Sequence, residues 1–149
     1  MSGETVFIPP ERRPSKGRFI PPLLIIPFVL YNILAFTLMG GNPAAWGGPI
    51  MAIYMVSGAP WAISWGDLLL MLGIVLLFFE ILKSTRTGRS SILEHMLSVG
   101  VFVLFLIEFL LVGAAASSVF FILMLMSIID VIGGFTVSIT SAGRDVNMG

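Results

Sequence analysis

Two carboxylates stand where hydrocarbon is expected. Glu108 lies in "LFLIEFLL" and Asp130 in "SIIDVIGGF", each inside a long apolar run that holds no Lys or Arg. An ionised side chain at the centre of a bilayer costs about 2.5 to 3.5 kcal/mol on insertion scales, so each acid needs a partner, a proton or an ion. At helical spacing Glu94, Ser98, Val101 and Glu108 share one face, and Ser127, Asp130, Gly134, Ser138 and Ser141 share another. Asn32, in the first apolar run, has a depth between the two acids and could bridge them. Three uses compete for these stripes. One is plain helix packing through small residues and interhelical hydrogen bonds. Another is a docking face for other membrane subunits or a second copy, and the third is a relay for protons or cations.

The remaining acids have simpler explanations. Asp67, three residues after Ser64, and Glu94, three after Ser91, read as partners in N-terminal capping boxes. Glu80, one turn before Lys83, reads as a local ion pair or a snorkelling side chain near a boundary. His95 is the single histidine and reads as an interfacial side chain rather than a ligand. With no cysteine, no paired E-x-x-H segment, no phosphate-binding glycine loop and no G-x-S-x-G elbow, the chain offers no catalytic, metal or cofactor constellation. The methionines are scattered over several faces and read as gap fillers. A non-enzymatic protein without cofactor or nucleic-acid partner is the expectation.

The elements that position these residues follow from composition. A chain of 149 residues that is 57% hydrophobic and 11% charged is far from the roughly 25% charged content of soluble domains, and predicts an integral membrane protein. Residues 1–22 form a polar tail with Arg12, Arg13, Lys16 and Arg18. Residues 23–140 form a membrane domain of four spans at about 23–40, 61–83, 91–113 and 118–140, and 141–149 form a second tail. The expected fold is an all-α bundle of four transmembrane helices in two hairpins. Between the first two spans, "GGNPAAWGGPIMAIYMVSGAPWAISWG" is too rich in glycine and proline for a continuous helix. It predicts an outer interfacial or re-entrant segment anchored at the headgroups by Trp46, Tyr54, Trp61 and Trp65.

All eight basic residues fall in the two tails and the loop between spans two and three: Arg12, Arg13, Lys16, Arg18, Lys83, Arg86, Arg89 and Arg144. The positive-inside pattern then places both termini in the cytoplasm. A bacterial cytoplasmic (inner) membrane fits the compact chain and its arginine asymmetry. A faint similarity between spans two and four ("TRTGR", "TSAGR") is of the kind that biased composition produces easily, so a duplicated hairpin is conceivable but not the expectation. The function expected from these features is a small accessory or structural subunit of a larger inner-membrane complex, docking partner helices through the stripe on spans three and four, in contact with membrane lipids. The alternative is a component of a proton- or cation-coupled transporter or channel that uses Asp130 and Glu108.

Overall fold

The computed structural model describes residues 21–85 and 89–146. Helix α1 spans Ile25–Thr37, a 3-10 turn spans Pro43–Gly47, strands β1 and β2 span Pro49–Tyr54 and Pro60–Ser64, and helices α2, α3 and α4 span Trp65–Ser84, Arg89–Leu111 and Ser118–Val146. Among the described residues three stretches are long and apolar enough to cross a membrane: Trp65–Ser84, Leu93–Leu111 and Ser118–Val137. The expected tail arginines Arg12, Arg13, Lys16 and Arg18, together with Arg86, lie outside the described residues.

The first expected span is shorter than 23–40. Its helix has 13 residues, about 20 Å at 1.5 Å per residue. Pro21 and Pro22 precede it, and beyond it Gly40 and Gly41 adopt φ of 58° and 75°. Such backbone is costly for residues with a Cβ, so the glycine pair turns the chain back over the helix end. Gly41 N–H donates to Ala35 O at 2.8 Å, and the 3-10 turn then folds Trp46 onto Tyr31.

The second expected span begins four residues late, because residues 61–64 belong to a strand. Ser64 caps α2 with the expected reciprocal geometry: its hydroxyl accepts Asp67 N–H at 3.1 Å, and Asp67 accepts Ser64 N–H at 2.8 Å. The third helix begins at Arg89, two residues ahead of the expected Ser91, so Ser91 and Glu94 are not at the cap and third helical positions. The all-α expectation therefore needs one correction. The mostly helical chain carries a two-stranded antiparallel sheet with Met51 opposite Ile63 and Ile53 opposite Trp61. Its turn closes through Gly58, with φ of 81°.

Helix α4 packs against both α2 and α3. Close approach to α2 depends on Gly73, where a Cβ would lie 2.8 Å from Leu123 Cδ2 and 3.0 Å from Met126 Sδ. The core is aromatic. Phe105 meets Phe28 edge-on at 4.8 Å between centroids and Phe120 at 5.2 Å, while Tyr31 stacks on Trp46 at 4.3 Å and meets Phe120 at 4.7 Å. These offset and edge contacts supply orientation as well as dispersion, which matters where surrounding lipid is as apolar as the side chains.

Candidate functional site: an inner polar cluster and an outer brace

The buried polar side chains divide into two groups, named inner for the one nearer the start of α1 and outer for the one nearer the loop between α3 and α4. The inner group gathers Glu80, Lys83 and Ser84 from α2, Glu94, His95 and Ser98 from α3, and Asp130 from α4 around a space of about 10 Å³, on the order of one water molecule. Glu80, Ser98 and Asp130 are almost fully buried. Ser98 hydrogen bonds to Asp130, which lies within electrostatic range of both Glu80 and Lys83.

Glu80 has two tasks here. One carboxylate oxygen pairs with Lys83 Nζ, and the other accepts Leu23 N–H at 2.8 Å. Helix α1 has no side-chain cap of its own, so a carboxylate from α2 holds the backbone just ahead of it and favours the positive end of the helix dipole. Lys83 Nζ also reaches Pro21 O at 3.4 Å. Glu80 and Lys83 together hold the start of α1 against the bundle. The local pair expected from their spacing is present, but Glu80 does not snorkel; at 2% exposure it is one of the most enclosed polar groups among the described residues.

His95 stacks on Phe135 at 5.4 Å between ring centroids and lies against Gly134, where a Cβ would stand 2.7 Å from His95 Nδ1. The small residue expected on the α4 stripe is thus the seat of the imidazole. Half-buried His95 and Glu94 both line the inner cluster, and Glu94 is not the helix cap partner expected. Ser127, also on that stripe, is buried but donates to Met124 O of its own helix at 2.7 Å, a local bond that satisfies a hydroxyl without reaching another helix. The side chain of Ser138 and those beyond 140 lie outside the described residues.

The outer brace joins α1 to the loop between α3 and α4. Asn32 Nδ2 donates to Glu108 Oε2 at 3.0 Å and to Phe28 O at 3.2 Å. Asn32 therefore serves Glu108 and does not bridge to Asp130. Glu108 lies three residues before the end of α3 and Asp130 twelve residues into α4, so the acids differ in depth by about 13 Å at 1.5 Å per residue. Beside this pair, Tyr31 OH donates to Ala114 O at 2.8 Å. The tyrosine has a single hydroxyl proton, so Ser117 Oγ, 2.7 Å away, must donate to the Tyr31 oxygen. Ser117 Oγ also accepts Phe120 N–H at 3.1 Å, which caps α4. One tyrosine therefore joins α1, the outer turn and the start of α4, although its place in an apolar run offered only a lone hydroxyl as a signal.

Tyr31→Phe keeps the ring stacked on Trp46 but leaves Ala114 O without that donor. An enclosed acceptor that loses its bond costs about 1 to 3 kcal/mol. Thermal denaturation in mild detergent should show that loss; an unchanged midpoint would mean that Tyr31 acts through its ring alone.

The expected interface aromatics separate by burial. Trp46 is 2% exposed and belongs to the core, not to the headgroup belt, because the 3-10 turn, capped by Asn42 Oδ1 accepting Ala44 N–H at 3.1 Å, folds it inward. Tyr54, Trp61 and Trp65 remain exposed.

No protein-family model matches this chain, and neither a curated protein nor a solved structure does so. Its own geometry is the guide. Among the described residues no group of three or more acidic or histidine side chains is arranged to hold a metal ion. The inner cluster gathers carboxylates, an ammonium and an imidazole around a space that admits nothing larger than about one water molecule. The outer brace is a set of satisfied hydrogen bonds at a helix junction.

Proposed function

We propose that this chain is a small accessory or structural subunit of a larger complex in a bacterial cytoplasmic membrane, crossing it four times with both termini inside. The observation that supports this reading is the use made of the buried polar groups. Glu80 and Lys83 hold the start of α1, while Glu108 and Ser117 hold its middle through Asn32 and Tyr31. Each set serves as a cross-brace, and the two are separated in depth by an aromatic core. Ser98, Ser127 and Asp130, expected to meet partner helices, are enclosed by the chain's own helices. Docking therefore moves to the exposed apolar face of α3, where Leu104, Ile107, Leu110 and Leu111 are uncovered.

In this reading α1 crosses despite its length. Apolar Leu23, Leu24, Leu38 and Met39 extend it to about 25 Å at helical rise, and local thinning of the bilayer accommodates the remainder at modest cost. A reporter fused after Gly149 should be active only when it works in the cytoplasm. Activity confined to the outer side would overturn the orientation.

The decisive experiment is purification in mild detergent with cross-linking. Co-purifying integral membrane subunits are expected, and a functional monomer would overturn the proposal. A second reading, a proton-relay component, draws on the inner cluster, where three carboxylates, one ammonium and one imidazole meet. Proteoliposomes separate the two readings. A subunit with structural braces gives no proton flux as wild type or as Asp130→Asn, whereas flux that Asp130→Asn abolishes would establish the relay.

A further inference from the structure

The hairpin of β1 and β2 is the least covered part of the fold. Its register gives it two unlike faces. Met51, Ile63, Ile53 and Trp61 pair across one face, and Ala52, Ala62, Tyr54 and Pro60 across the other. On the bulky face Ile63, at the root, is 7% exposed, while Met51, Ile53 and Trp61 are 55%, 47% and 48% exposed. The apolar row thus begins against the bundle and continues outward uncovered, over about 7 Å at 3.3 Å per strand residue. Isolated surface apolar residues are ordinary, but a contiguous bulky row marks a contact site.

We infer that this hairpin is a lipid-contacting ledge, its Met51–Ile53–Trp61 face on the outer leaflet and its alanine face toward water. The inference rests on the membrane orientation proposed above. Three features choose lipid as the occupant. Strand β2 runs into α2 with no linker, so the ledge is rooted at Trp65, the first residue of a membrane-length helix. No Asp, Glu, Lys or Arg occurs from residue 19 to residue 66, which leaves a protein partner no charge for orienting itself and leaves lipid nothing to reject. Finally, exposed Trp61 and Trp65 are side chains that favour the headgroup region, with an apolar body and a polar tip.

The depth follows from the backbone. A two-stranded sheet has two open edges whose N–H and C=O groups need water, and lipid-exposed open edges do not occur within hydrocarbon. The ledge must lie at headgroup level with only its bulky side chains in the acyl region. It is neither a re-entrant segment nor a fifth crossing.

The test uses the absence of cysteine from the chain. Ile53→Cys and Ala52→Cys place an environment-sensitive fluorophore at adjacent positions on opposite faces, both on an exposed strand. Leu104→Cys places it on the exposed face of α3. Each labelled full-length chain is reconstituted in vesicles of phosphatidylethanolamine and phosphatidylglycerol. Spin-labelled acyl chains should quench the label at position 53 severalfold more than that at 52, with aqueous iodide showing the reverse. Iodide quenching at both hairpin sites, with lipid quenching only at 104, would overturn the ledge while leaving the membrane reading intact. Shielding of position 53 from both quenchers would also overturn it, because a second copy would then cover the face. Absence of lipid quenching at all three sites would remove the membrane reading and the ledge together.

Discussion

Glu80→Ala should lower the stability of the purified protein by about 3 to 5 kcal/mol, the loss expected when one member of a buried ion pair is removed and the other stays. Glu80 and Lys83 have side chains only 3% and 9% exposed, so water does little to replace the lost partner. The same substitution removes the acceptor for Leu23 N–H. The damage should concentrate in α1, which has no side-chain cap of its own. Glu80→Gln retains an acceptor for Leu23 while losing the charge, and should fall between wild type and Glu80→Ala. Denaturant titration in mild detergent, followed by tryptophan fluorescence, reads both effects; Trp46 lies at the far end of the structure that α1 supports. A Glu80→Ala variant within about 0.5 kcal/mol of wild type, the range typical of surface changes, would remove the cross-brace account of α1.

The second large effect is a contrast between two glycines. Gly134→Ala pushes a methyl group into His95, whose ring is backed by Phe135, whereas Gly100 has nothing within 4 Å of a Cβ. Overpacking a close contact costs about 1 to 3 kcal/mol. Alanine in place of glycine in a helix otherwise favours it by about 1 kcal/mol. Gly100→Ala should therefore raise the denaturation midpoint and Gly134→Ala should lower it. Gly134→Leu should lower it further and disturb the inner cluster, because His95, Glu94 and Asp130 share that space. If both alanine substitutions move the midpoint in the same direction, His95 does not depend on Gly134 for its seat.

Membrane character, helix order and the acidic residues that require compensation are legible in the amino-acid sequence, because each is set by local composition. The Ser64–Asp67 cap is legible for a related reason: reciprocal capping needs only a three-residue spacing. The strands are not. "PIMAIY" and "PWAIS" are continuous apolar runs rather than alternating ones, and such runs do not distinguish a strand from buried helix or from an interfacial loop. Their pairing through Gly58 is what makes them strands. Tryptophan usually favours the headgroups, which is where Trp46 is expected, but the turn at Gly40 and Gly41 carries it onto Tyr31.

By itself the amino-acid sequence determined an apolar, cysteine-free helical chain of membrane character and a small number of carboxylates too costly to leave uncompensated; that the first of the four expected spans is only a 13-residue helix was decided by the fold. Hydropathy and charge placement are properties of residues along the chain, so no folding was needed to read them. Only the tertiary structure decided how the acids are compensated: Glu108 by Asn32, Asp130 by Ser98 beside the Glu80–Lys83 pair, and Glu80 by the backbone of α1. Those partners lie far apart in sequence, up to 76 residues for Asn32 and Glu108, and are chosen by helix rotation and close approach at glycine. Energetic need was visible locally, while the means of meeting it depended on which helix faces came together.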